Sequence, residues 1–92
     1  MDIRSKLIDD LFEVIMSLKS EKDCYDFFGD LCTIKEIQDM AKRLEAAKML
    51  RDGANYQTVC DQLGLSTATI SRVNKCLNYG TGGYKKVLKN QK

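Results

Sequence analysis

Ser66, Thr67, Ala68, Ser71, Arg72 and Lys75 fall on one side of a helix read through this stretch. Their chemistry suits a nucleic-acid groove. Small hydroxyls and an alanine let a helix sit deep, where base edges offer hydrogen bonds and thymine offers a methyl. Arg72 has the reach and fork geometry for guanine or phosphate, and Lys75 suits phosphate. Thr69 completes the candidate set on the same first turn. Gln57, on the first turn of the preceding helix, reaches the backbone or a flanking base. The helix N-terminus adds free amides and the positive end of a dipole.

The charge distribution points the same way. Residues 62–92 carry Arg72, Lys75, Lys85, Lys86, Lys89 and Lys92 with no acid, a net of +6. The first 61 residues hold the other nine bases against thirteen acids, a net of −4. A basic lobe on an acidic body suits an anionic polymer, because each neutralised phosphate releases counterions.

Other chemistries find little support. There is no histidine, and Cys24, Cys32, Cys60 and Cys76 form no CxxC pair, so neither a zinc site nor a histidine-activated nucleophile is indicated. The thiols read as small buried hydrophobes. No P-loop, dinucleotide fingerprint or paired acid suggests an enzyme. No apolar run approaches the ~20 residues of a membrane span, and no signal-peptide pattern opens the chain, which reads as cytoplasmic. No cofactor is expected.

The positioning elements are all helical. Proline is absent and 92 residues make one domain. A first helix is expected over residues 3–19, with Asp2 as N-cap and apolar residues on most sides, which calls for burial by dimerisation. A second covers 21–31 behind Ser20, with Tyr25, Phe28, Leu31 and Cys32 as its apolar side. A third follows a Thr33/Glu36 capping box, and Ile34, Ile37, Ala41, Leu44, Ala47 and Leu50 recur along it until Gly53. Residues 1–53 form the dimerisation part. Asn55 caps a helix over 56–63, Gly64-Leu65 turn, and Ser66 caps a helix over 67–78. After the loop at residues 80–83, Tyr84, Val87 and Leu88 shape a short final helix over 84–90.

Residues 55–78 meet the demands of a helix-turn-helix together. Val59 and Leu63 face inward from the first helix, with Leu65 in the turn, and Ile70, Val73 and Leu77 face inward from the second. Cys60 is small where the helices approach, and Gly64 tolerates a positive φ. Two ordinary surface helices in a helical dimeric protein-interaction module, without DNA binding, are the alternative.

Over Leu63-Gly64-Leu65-Ser66-Thr67-Ala68-Thr69-Ile70-Ser71-Arg72 the chain resembles the Trp repressor superfamily. The likeness extends through Leu31-Cys32-Thr33 and Met40-Ala41-Lys42-Arg43-Leu44. With Arg72-Val73-Asn74-Lys75-Cys76-Leu77 and Tyr79-Gly80-Thr81-Gly82-Gly83-Tyr84 it is similar to the YerC/YecD group. The resemblance implies an all-α, six-helix Trp-repressor-like fold with a helix-turn-helix, in an intertwined homodimer. It implies a transcriptional regulator, in type a repressor, that binds double-stranded DNA at half-sites about one turn apart. It also implies a small-molecule effector site matched by Thr33, Arg43, Arg72 and Cys76. Two departures weigh against tryptophan: Val73 stands where the family has glycine, and Cys76 where it has serine. Arg43 and Arg72 are then left for acids such as Asp39 or Glu36, for DNA, or for a different effector.

Overall fold

The computed structural model describes residues 3–89. The described elements are the helices α1 (Lys6–Met16), α2 (Glu21–Leu31), α3 (Ile34–Arg51), α4 (Tyr56–Leu63), α5 (Thr67–Tyr79) and α6 (Gly83–Leu88). Contacts divide the chain into two units, one ending at Ile34 and one beginning at Lys35.

In the first unit α1 is shorter than the expected 3–19. Asp2 lies outside the described residues. Ser5 is the N-cap, in extended backbone, and its Oγ accepts from the Ile8 N–H at 3.2 Å. At the other end Ser17 and Leu18 donate to Val14 and Ile15, three residues back, which tightens and closes the last turn. Ile8, Leu11 and Ile15 are half-buried, while Leu7, Phe12, Val14 and Met16 are exposed. At 100° per residue these apolar positions span roughly 200° of the helix. One packing contact cannot cover so wide an arc. In α2 the Ser20 cap accepts from Asp23 N–H at 3.0 Å, and Asp23 in turn accepts from Lys19 N–H at 3.1 Å. Phe27 and Phe28 meet edge to face with ring centroids 5.4 Å apart. Tyr25 and Leu31, expected on the apolar side with Phe28, are exposed instead.

The second unit is built on a buried cluster. Ala46 and Ala47 of α3, Val59 of α4, Ile70 and Val73 of α5 and Leu88 of α6 form it, each no more than 2% exposed. Two consecutive alanines let other helices approach α3 closely. Leu50, Cys60, Leu63, Leu65 and Tyr84 pack around the cluster. The third helix was expected to bury Ile34, Ile37, Ala41, Leu44, Ala47 and Leu50 as one seam. Within the chain its full burial falls on Ala46 and Ala47, while Ile34, Ala41 and Leu44 are exposed. Val87, expected to pack back with Tyr84 and Leu88, is also exposed.

Two glycines are dictated by geometry. Gly64 ends α4 at φ 66°, the left-handed region that disfavours a Cβ. A Cβ on Gly80 would run into the Cys76 carbonyl as the chain leaves α5. Arg51 then ties α6 down. Its Nη1 donates to the Leu88 carbonyl at 2.7 Å, satisfying a helix-terminal acceptor, while its Nε donates to Asp52 at 2.9 Å.

The hydrogen bond from Arg51, ahead of its charge, holds the Asp52 carboxyl below the usual carboxylate range. A carboxyl lowered in the folded state contributes stability at neutral pH that is lost as acid protonates it. The urea midpoint should therefore fall on acidification through the carboxylate range, and less steeply in Asp52→Asn. Gly64→Ala should lower unfolding stability at neutral pH by about 1–2 kcal/mol in the same assay, for the Cβ forced into left-handed backbone.

Candidate nucleic-acid interface

The geometry of α5 follows from which of its residues are buried. Ile70, Val73 and Leu77 recur at three- and four-residue steps and turn inward. Their burial fixes the helix's rotation about its own axis. Ser66, Thr67, Ala68, Ser71, Arg72 and Lys75 are consequently exposed. Among the described residues neither Arg72 nor Lys75 has an acidic partner, so both charges are available.

Ser66 and Thr69 serve the scaffold as well. Ser66 Oγ accepts from the Thr69 N–H at 3.1 Å and donates to Thr69 Oγ1 at 3.0 Å. Thr69 is half-buried, so of the expected contact residues it is the least open. The first-turn amides of Thr67 and Ala68 have no intrahelical acceptor by geometry. On α4, Asn55 Oδ1 caps Thr58 N–H at 2.9 Å, and Gln57 is exposed on the first turn. Its Nε2 donates to Asp61 Oδ1 at 2.8 Å. Sequence reasoning missed this role for Asp61, although the four-residue spacing signals it. Asp61 is also the last acid in the chain.

The residues matched to an effector site divide between the units. Thr33 is exposed in the first unit; Arg43 and Cys76 are half-buried and Arg72 exposed in the second. Arg72 and Cys76 stand one turn apart on α5. The acid offered to Arg43, Asp39, is held by Lys35 at 2.8 Å. That bond, assisted by the charges of Lys35, Lys42 and Arg43, lowers the Asp39 carboxyl. Val73 is 2% exposed and belongs to the core cluster. Among the described residues no group of three potential ligands could hold a metal ion, and no helix is long and apolar enough to cross a membrane.

A buried inner face, a glycine turn and an outward ridge are the parts of a helix-turn-helix. Residues 6–92 match the Trp repressor protein family. The chain belongs to the Trp repressor family. That family is one of regulators rather than enzymes. YerC of Bacillus subtilis (strain 168), an uncharacterized protein, is 55% identical over 86 residues, covering 94% of this chain and 83% of its own. A TrpR-like protein from Eubacterium eligens superposes with a TM-score of 0.90 at 47% identity, covering 95% of this chain and 90% of that one. A Trp repressor candidate from Staphylococcus aureus gives 0.89 at 44% identity, covering 95% and 87%. The six-helix Trp-repressor-like fold expected from the sequence is thus present.

Ser66→Ala should test how far the reading helix depends on its cap. It removes the acceptor for Thr69 N–H, and the urea unfolding free energy should drop by about 1 kcal/mol.

Proposed function

We propose that this chain is a cytoplasmic, sequence-specific regulator of transcription, in type a repressor, that binds double-stranded DNA as a homodimer. The observation that carries this reading is the exposed, acid-free ridge of α5 from Ser66 to Lys75, held outward by buried Ile70 and Val73. The ridge enters the major groove. Ser71 and Arg72 address base edges, and Ala68 offers a methyl-sized contact. Lys75, with the amides of Thr67 and Ala68, engages phosphates and sets the register. Gln57, oriented by Asp61, meets the flanking backbone.

Dimerisation is supported by what one chain leaves uncovered. Leu7, Met16, Tyr25, Leu31 and Ile34 are all more than half exposed. Exposed apolar side chains at this density mark an interface. A twofold dimer places two reading helices in successive major grooves, about one turn of duplex apart, so the favoured sites are near-palindromic. Repression then follows from occupancy of the duplex. Residues 1–53 serve as the dimerisation part and 55–78 as the reading head, while the final helix, expected over 84–90, is α6 (Gly83–Leu88), residue 90 lying outside the described residues. Of the effector set Thr33, Arg43, Arg72 and Cys76, tryptophan is a poor match. Val73 fills the core beside Arg72, and a thiol binds an ammonium weakly.

Arg72 and Lys75 should separate sequence reading from phosphate binding. Fluorescence anisotropy on a duplex selected from a random pool provides the measurement. Arg72→Ala should cost about 1–3 kcal/mol against the selected site and relax its preference over random duplex. Lys75→Ala should weaken both duplexes alike and reduce the salt slope by about 1. Absence of any duplex binding at low salt would instead support a protein-interaction module.

A further inference from the structure

Between the end of α3, the C-terminal half of α5 and α6 lies a cavity of about 690 Å³. Its floor is apolar, made by Leu50, Leu77 and Leu88. Its rim is polar and carries Asn74 and Asn78 of α5 together with Lys85 and Lys89. None of these belongs to the outward ridge or to the effector positions implied by the family.

The rim's polar groups are unevenly committed. Asp52, the acid among the lining residues, is engaged by Arg51 Nε at 2.9 Å and Nη2 at 3.4 Å. Arg51 in turn spends Nη1 on the Leu88 carbonyl. Asn78 Nδ2 donates to the Asn74 carbonyl at 3.0 Å and to Asn74 Oδ1 at 3.2 Å. Asn74 therefore keeps its own amide hydrogens for another acceptor. Lys85 and Lys89 have no acidic partner among the described residues. What remains open is two ammonium groups and an amide donor above a leucine floor. The volume falls in the ~300–1,000 Å³ range of small-ligand pockets, which combine an apolar lining with a few placed polar groups.

We propose that this cavity binds a small organic carboxylate with an apolar body, and that the ligand acts through it on α5. The Lys85 and Lys89 ammonium groups take the carboxylate, and the Asn74 amide orients it. The apolar body displaces water from Leu50, Leu77 and Leu88. Both α5 and α6 wall the cavity, so an occupant ties the reading helix to the C-terminal helix and changes duplex affinity. This regulatory part rests on the DNA-binding reading above.

The test is a titration of the ¹⁵N-labelled full chain with 3-phenylpropionate, followed by NMR. The side-chain amide signals of Asn74 and Asn78 should shift saturably. The neutral alcohol 3-phenylpropan-1-ol, and the Lys85→Glu/Lys89→Glu variant with the carboxylate, should each bind at least about tenfold more weakly. Three outcomes overturn the site: no saturation by about 10 mM, equal binding of the alcohol, or shifts centred on Arg43, Arg72 and Cys76. Duplex affinity at saturating probe should change by about threefold or more, roughly 0.7 kcal/mol. A chain that binds duplex equally with and without the probe overturns the coupling. One that binds the probe but no duplex leaves the site intact and overturns the reading it was coupled to.

Discussion

Ile70 and Val73 are packed against Ala46, Ala47 and Val59, and this contact decides which way α5 faces. A helix has one rotation about its axis, so burying one stripe exposes the opposite one. Burying an isoleucine side chain contributes about 1.5–3 kcal/mol, several times what any exposed ion pair on this surface supplies. The polar residues of α5 therefore have little say in its orientation. The ridge from Ser66 to Lys75 is presented because nothing in the core competes for it. Gly64 makes the arrangement possible by turning the chain with no spare residues.

The same logic explains what one chain leaves unfinished. The second unit has a fully buried cluster, whereas α1 and α2 contain no fully buried residue. Leucine, methionine and tyrosine side chains there remain open. A regulator that reads a twofold-symmetric site gains from such incompleteness. In the homodimer proposed above, the two heads would hold a fixed spacing only once the chains are assembled, so assembly and reading would become one event.

Much of this was legible in the sequence. Ser20, Asn55 and Ser66 cap helices as expected, because a hydroxyl or amide at the head of an apolar-periodic segment leaves few alternatives. The inward set Val59, Ile70, Val73 and Leu77 followed from periodicity alone. The limits of α1 were not legible. Ser5 and Ser17 both sit within an apolar rhythm that continues past them, and the choice between rival caps depends on tertiary context. Nor was it legible that α3 would bury Ala46 beside the expected Ala47 while leaving Leu44 exposed. Periodicity gives the spacing of an apolar face but not which neighbours cover it. Of the candidate interface, the exposed residues of α5 were found from their types. The Gln57–Asp61 bond went unseen because Gln57 reads from its type as a duplex contact and Asp61 as an ordinary surface acid.

The central claim is that the outward edge of α5 occupies a major groove. Dimethyl sulfate interference tests it most directly, because the reagent methylates guanine N7 in the major groove and adenine N3 in the minor groove. On a duplex recovered by the wild-type chain, guanine methylation within two patches about one helical turn apart should block binding, while adenine methylation there is tolerated. Binding indifferent to guanine N7, or blocked only from the minor groove, would contradict the account.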